Sequence, residues 1–270
     1  MNLEGFDHGN RGIGIRHHQL ILPSVICSTH VSRRIATEVS AVTFAHQHGC
    51  AIIGDDVAGI DNFFVALADH PNVGSVLAVG LGCETIQSQE LAAKLASRNE
   101  STHHCIIQES GGVEGTVTAG VLAARQLAEK YPPQKTGLIQ LHIGIELGRV
   151  TFDISPVTRS LKDSGFQIEV IESHGNSAEA FSKLAELKSH LIISFPAENQ
   201  PSSGFPLIPV INVAGTGLLH QATFKDFDLQ ETELEEKLIS LIESVVSGKL
   251  TIAEKNRSGE IRAPRVVRSV

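Results

Sequence analysis

Short apolar runs alternate with longer amphipathic stretches along most of the chain. The runs at 19–26, 75–81, 104–108, 137–143, 167–172, 191–195 and 208–213 have the length of buried strands. Helical patterns occupy about 29–46, 86–98, 114–130, 155–164 and 177–188. This rhythm predicts an α/β protein with two doubly wound, largely parallel-sheet, Rossmann-like halves. The clearest helix is 114–130, which follows Gly111-Gly112 and cannot continue through Pro132-Pro133. Tyr131-Pro132-Pro133-Gln134-Lys135 is the boundary candidate, giving an N-terminal domain of 1–133 and a second domain of 134–270. In the second, 231–247 reads as an acidic amphipathic helix stopped by Gly248. The basic stretch Lys255–Val270 reads as a surface-docked or subunit-contacting arm.

Composition narrows the function classes. At 270 residues, 41% hydrophobic and 19% charged, the chain can bury one large or two modest cores. A net charge of -8 argues against a nucleic-acid surface. No apolar run approaches the roughly 20 residues of a membrane span. The first residues lack the basic and apolar regions of a signal peptide, so a cytoplasmic location is the default expectation. In that setting four cysteines without a Cys-x-x-Cys pair disfavour structural disulfides, zinc ribbons and thioredoxin-like motifs. Buried thiols or a metal site assembled in three dimensions remain.

The placement of three cysteines bears on that choice. Cys83 lies in Gly80-Leu81-Gly82-Cys83-Glu84, directly after the apolar run that ends at Val79. Cys27 ends the run Leu20–Ile26, and Cys50 closes His46-Gln47-His48-Gly49-Cys50. Ligands of open parallel α/β folds gather outside the carboxyl ends of the strands. Three thiols at such ends can meet, and thiolates are soft ligands for iron, zinc or an iron–sulfur cluster. The competing reading is that free cysteine packs as a small apolar side chain. Cys105, inside an apolar strand, takes that reading.

Other candidates each carry two readings. His46 and His48 suit a ligand or a base, or they are surface histidines capping the preceding helix. Glu84 suits a ligand, a base or an orienting partner, or it is a neighbour of the next helix start. Arg16 suits bidentate carboxylate binding or a structural ion pair. Gly111-Gly112 offers amides to an anion or forms a tight turn. His17, His18, His103, His104 and His142 have no comparable setting. The dinucleotide fingerprint and the Walker loop are both missing, so no nucleotide cofactor is expected.

The order of the motif blocks points further. Gly12-Ile13-Gly14-Ile15-Arg16, Pro23–Cys27, His46-x-His48-Gly49-Cys50, His70-Pro71-Asn72-Val73, Gly80–Glu84 and Ile107-Gln108-Glu109-Ser110-Gly111-Gly112 follow one another. Near the end come Pro206–Val213, Asp226-Phe227-Asp228-Leu229 and Ser247-Gly248-Lys249-Leu250-Thr251-x-x-Glu254. Together they resemble the altronate/galactarate dehydratase family. The resemblance implies a hydro-lyase that eliminates water from a sugar acid or related hydroxy acid with the help of a metal. Cys27, Cys50 and Cys83 are then expected to hold iron, as a cluster or a single ion, with zinc or another divalent metal as the alternative. His46, His48 and Glu84 are expected to move or orient protons. Arg16, Gln108, Gly111 and Gly112 are expected to bind the substrate anion. A hydroxy acid, a separate small subunit and further copies of the chain are the implied partners; nucleic acid and membrane are not.

One departure keeps other readings open. Where the family carries Leu-Gln-Cys-Gly-Gly-Ser-Asp, this chain reads Ile143-Gly144-Ile145-Glu146-Leu147-Gly148-Arg149, without a cysteine. A non-catalytic sugar-acid-binding or scaffold protein, or a sulfo-lyase-like activity, is the alternative.

Overall fold

A computed structural model describes residues 3–138 and 140–264. The chain divides into two compact units. The first holds Phe6–Gln134 and the stretch from Ile261; the second holds the residues up to Gly5 and Lys135–Glu260.

In the first unit the end of β1 (Leu3–Asp7) pairs antiparallel with β2 (Ile13–Gly14). Then follow β3 (His18–Pro23), α1 (Thr29–Val39), α2 (Asp55–Ala68), β4 (Val73–Gly80), α3 (Ser88–Ala96), β5 (Thr102–Ile106) and α4 (Gly112–Lys130). Strands β3, β4 and β5 form a parallel sheet in that order. Past α1, Val42 makes a parallel bridge to Leu20 on the free side of β3. The chain thus winds outward from β3 in one direction through Val42 and in the other through β4. Side chains alternate across a strand. Ile21, Leu77 and Val79 face α1 and α4, where Val31, Ile35, Val117, Ala123 and Ala124 close one core. Gly120 of α4 permits that approach, because a Cβ there would collide with Cδ1 of Ile35. Helices α2 and α3 also pack on β4, and α3 on β5.

Helix α1 is shorter than the pattern over 29–46 predicts. Ser40 takes a left-handed conformation at φ 54° and the chain turns to lay Val42 beside β3. Helix α2 was absent from the expected elements.

The second unit contains β6 (Lys135–Leu138), β7 (His142–Leu147), α5 (Ser155–Asp163), β8 (Gln167–Glu172), α6 (Ser177–Glu186), β9 (Leu191–Phe195), β10 (Val210–Ala214), α7 (Leu218–Ala222), β11 (Leu229–Gln230), α8 (Leu234–Val246) and α9 (Ile252–Asn256). Its sheet is parallel, in the order β11-β10-β9-β7-β8. That is the doubly wound 2-1-3-4-5 arrangement, whose switch point lies between β7 and β9. β7, β9 and β10 are buried almost throughout, as strands covered on both faces must be. The single strand expected over 137–143 is instead the end of β6 and the start of β7; Ile139 within it lies outside the described residues. Of the expected arm, 265–270 also lies outside them. Among the described residues no helix is long and apolar enough to cross a membrane.

Candidate functional site

The carboxyl ends of β3 and β4 are the switch point of the first unit. Pro23 leads through Ser24 and Val25 into a tight 3-10 turn, Ile26–Ser28, that carries Cys27. Gly80 leads into Leu81-Gly82-Cys83-Glu84. The stretch beyond Val42 returns to the same edge with His46, His48 and Cys50. Hydrogen bonds join these loops. The Ile26 amide donates to the His48 carbonyl at 3.0 Å, and the Thr85 amide to the Cys50 carbonyl at 3.0 Å. The Ser24 hydroxyl donates to Oε1 of Glu84 at 2.8 Å.

The sulfurs converge as a result. Sγ of Cys27 and Sγ of Cys50 are 4.0 Å apart, and Cys83 lies close enough to act electrostatically on Cys50. Cys27 and Cys83 are exposed and Cys50 is half-buried. Desolvation, and then the hydrogen bonds and repulsion of the other two sulfurs, push the Cys50 thiol up to about 11. The two neighbouring sulfurs oppose the ionisation of Cys50 in the absence of a cation; a bound cation would reverse that. The donor set therefore suits a soft metal. Among the described residues no group of three or more His, Cys, Asp or Glu side chains already stands in metal-holding geometry. Cys105 is 7% exposed in the core between β4 and α4, where burial raises its pKa.

Glu84 is buried and spends its carboxylate on the loop. Oε1 accepts from Ser24 and from the Leu81 amide at 3.1 Å; Oε2 accepts from the Gly82 amide at 2.6 Å. It is a positioning residue for Cys83. Gly80 makes room for it, since a Cβ there would collide with Glu84 Oε1 and Ser88 Oγ. Gly82 sits at φ 118°, a conformation that favours glycine.

His46 is buried at 1% exposure, and its Nδ1 accepts the His48 amide at 3.0 Å. Burial, and then the neighbouring His48, lower its pKa to about 4, so the ring is neutral at pH 7. With Nδ1 accepting, the proton resides on Nε2, which has no hydrogen-bond partner among the described residues. His48 Nε2 lies 3.2 Å from the carbonyl of Ala263, which can only accept. The stretch from Ile261 is clamped to the same loop. The Gln47 side chain donates to the Ile261 carbonyl at 3.0 Å and accepts from the Ala263 amide at 3.1 Å. Sequence reasoning missed this clamp, as it missed Ser24 and Thr85; no motif marks residues whose role is to join loops.

The substrate-binding candidates separate. Gln108 joins the site: its amide donates to the Leu81 carbonyl at 3.1 Å. A Cβ on Gly82 would fall 2.6 Å from its Oε1. Gly111 and Gly112 begin α4 on the same edge at φ 79° and 80°, and the Gly112 amide is spent on the Ile107 carbonyl at 3.0 Å. Arg16 is not brought to the trio. It precedes β3 at the amino edge of the sheet, a strand length of about 20 Å from the thiols, and its Nη1 donates to the carbonyl of Ile15 at 3.0 Å.

Two cavities flank the first unit's sheet. One of about 410 Å³ lies beside the Cys83 loop, lined by Asp55, Thr85, Gln87, Glu90 and Lys94 among others. Another of about 570 Å³ lies at the amino edge, with His8, His17, Gly74 and Ser101 in its wall. His8 Nδ1 donates to the Pro71 carbonyl at 2.6 Å, and His8 Nε2 is 2.8 Å from His17 Nδ1. Burial lowers the pKa of both, His8 to about 4. The neutral His8 therefore accepts at Nε2, and His17 donates from Nδ1.

Two polar networks lie at the carboxyl edge of the second unit. Glu146 is fully buried and accepts from Ser177 at 3.0 Å and Ser194 at 2.6 Å. Arg149 Nη1 reaches Glu231 at 3.0 Å and Glu198 at 3.4 Å, and Nη2 donates to the Val213 carbonyl at 3.2 Å.

Residues 5–131 match the family model described as D-galactarate dehydratase/Altronate hydrolase, second domain. The chain is 29% identical over 160 residues to altronate dehydratase of Escherichia coli (strain K12), covering 53% of this chain and 31% of that protein. It is 29% identical over 160 residues to altronate dehydratase of Bacillus subtilis (strain 168), covering 54% of this chain and 32% of that protein. The matched stretch thus spans less than a third of either relative. No solved structure matches the chain.

Proposed function

Because this chain belongs, through residues 5–131, to the D-galactarate dehydratase/altronate hydrolase family, we propose that it is a carbon–oxygen lyase that eliminates water from a sugar acid or related hydroxy acid. The observation that carries this reading is the convergence of Cys27, Cys50 and Cys83 at one switch point.

Elimination takes a weakly acidic proton from the carbon beside the carboxylate, expels hydroxide from the next carbon, and leaves an enol that becomes a 2-keto acid. Cys27, Cys50 and Cys83 would hold iron, or alternatively zinc or another divalent ion. Such a metal, when bound, supplies charge stabilisation for the enolate and polarises the leaving oxygen. The chain's own groups do the rest. His48, whose Nε2 faces the Ala263 carbonyl, is the candidate base. The Nε2–H of His46 is a neutral donor. Glu84 holds Cys83 in place, and Gln108 orients the substrate. The hydroxy acid, a separate small subunit and self-association are the partners this reading carries.

The test is anaerobic reconstitution of the full chain with ferrous iron, alone and with a small-subunit partner, followed by assay of 2-keto acid formation from altronate and galactarate. Turnover that is lost in Cys50→Ser supports the reading. Iron binding without turnover on either acid, with the small subunit present, overturns it. That outcome would favour the second reading, a sugar-acid-binding protein. The Glu146 and Arg149 networks, where the family motif carries a cysteine, speak for that alternative.

A further inference from the structure

The thiol trio has a property that dehydration does not use. Cys27 and Cys50 are 4.0 Å apart at sulfur, against the roughly 2.0 Å of a disulfide. Both sit on loops, and the loops are already fixed to each other through the Ile26 amide and the His48 carbonyl. Closing the gap takes about 2 Å of sulfur movement. Cys27 is open to solvent, while Cys105 is shut in the core.

We propose that Cys27 and Cys50 form a reversible disulfide when the protein meets a hydroperoxide. The exposed sulfur of Cys27, as thiolate, attacks the distal peroxide oxygen; the O–O bond breaks, leaving a sulfenic acid on Cys27 and releasing water or an alcohol. The Cys50 sulfur then attacks the Cys27 sulfur, forming the S–S bond and releasing water. Two thiols lose two electrons and two protons, and the peroxide is reduced by the same two electrons. Cys83 is left as the one reduced sulfur of the trio. It stands beside Cys50 and provides the internal thiol for exchange. The inference uses the sulfurs of the lyase reading but not its chemistry.

The experiment treats the full, metal-free, reduced chain with hydrogen peroxide, blocks remaining thiols with an alkylating reagent, and maps the peptides by mass spectrometry. The expected result is a linked Cys27–Cys50 peptide that disappears on reduction, with Cys105 still unoxidised. Cys83→Ser retains the link. Cys50→Ser loses it, and Cys27 then yields a sulfenic acid that a dimedone probe traps. The proposal is overturned if wild-type Cys27 and Cys50 advance separately to sulfinic acids, link only between molecules, or if Cys27 pairs mainly with Cys83. The wild-type map decides the matter even if a variant fails to fold. Absence of lyase turnover leaves a linked peptide standing, and absence of the link leaves the lyase reading standing.

Discussion

The Ser24 hydroxyl donates to Oε1 of Glu84 at 2.8 Å, fastening the loop after β3 to the loop after β4. Each loop carries one exposed cysteine, so the bond sets the spacing of Cys27 and Cys83.

Glu84→Gln tests this fastening. Glutamine keeps one acceptor oxygen but turns an NH2 toward either the Ser24 and Leu81 donors or the Gly82 amide. Leaving a buried donor unmatched costs about 1–3 kcal/mol. Chemical denaturation should show that loss, and alkylation of Cys83 in the folded protein should accelerate. Unchanged stability and labelling would refute the role of Glu84.

Gly80→Ala should act on the same carboxylate from the other side. The new Cβ collides with Glu84 Oε1 and Ser88 Oγ within a fully buried strand. Overpacking of this kind typically costs 1–3 kcal/mol. A thermal melt comparing Gly80→Ala with Gly49→Ala separates the effect from a generic glycine substitution, since nothing lies within 4 Å of a Cβ on Gly49.

Acid should weaken the first unit before it weakens carboxylate pairs. His46 and His8 are held at about 4, against an ordinary 6.5. Between those values the unfolded chain binds protons that the folded chain refuses. Their contribution is complete above about pH 6.5 and is lost as pH falls toward 4. For the buried His46 the full shift is worth roughly 3 kcal/mol. Urea midpoints measured from pH 7 to 4 should fall, and His46→Asn, which keeps an acceptor for the His48 amide, should flatten the decline. A parallel curve for the variant would contradict this assignment.

Removing the residues from Ile261 onward should loosen the site. Ile261 is fully buried, and burying such a side chain is worth roughly 1.5–3 kcal/mol. Hydrogen exchange at residues 45–50 should speed up while that of β4 stays slow. Equal protection with and without the stretch would show the clamp to be incidental.

Much of the fold was legible in the sequence. The run at 191–195 coincides with β9, because a strand buried on both faces announces itself as a short apolar block; the run at 167–172 coincides with β8, a half-exposed strand at the edge of the sheet. Helix α2 was not legible. Its second half, Phe63-Phe64-Val65-Ala66-Leu67-Ala68, is apolar all round and shows no stripe, and Gly59 weakens its propensity. The break between β6 and β7 escaped because periodicity records which residues are apolar, not which neighbour a strand pairs with. That Cys27 and Cys83 lie at one edge followed from the apolar runs that precede them, whereas Cys50 follows no such run and was singled out by its motif. The contrary placement of Arg16 was not, because a motif gives order along the chain and says nothing about which edge of the sheet a residue occupies. His17, which carried no signal, proves to be tied to His8 through a tautomer that only the Pro71 carbonyl determines.

The clamp of Gln47 on Ile261 and Ala263 has a consequence for biosynthesis. The first unit is begun by early residues but completed by late ones, with a whole second unit translated in between. On the ribosome, the sheet bearing the thiols can assemble while its loop at His46–Cys50 still waits for its fastener. A nascent chain stalled before Ile261 should therefore display that loop to proteases and oxidants, and one extended until Ile261–Ala263 has emerged should protect it.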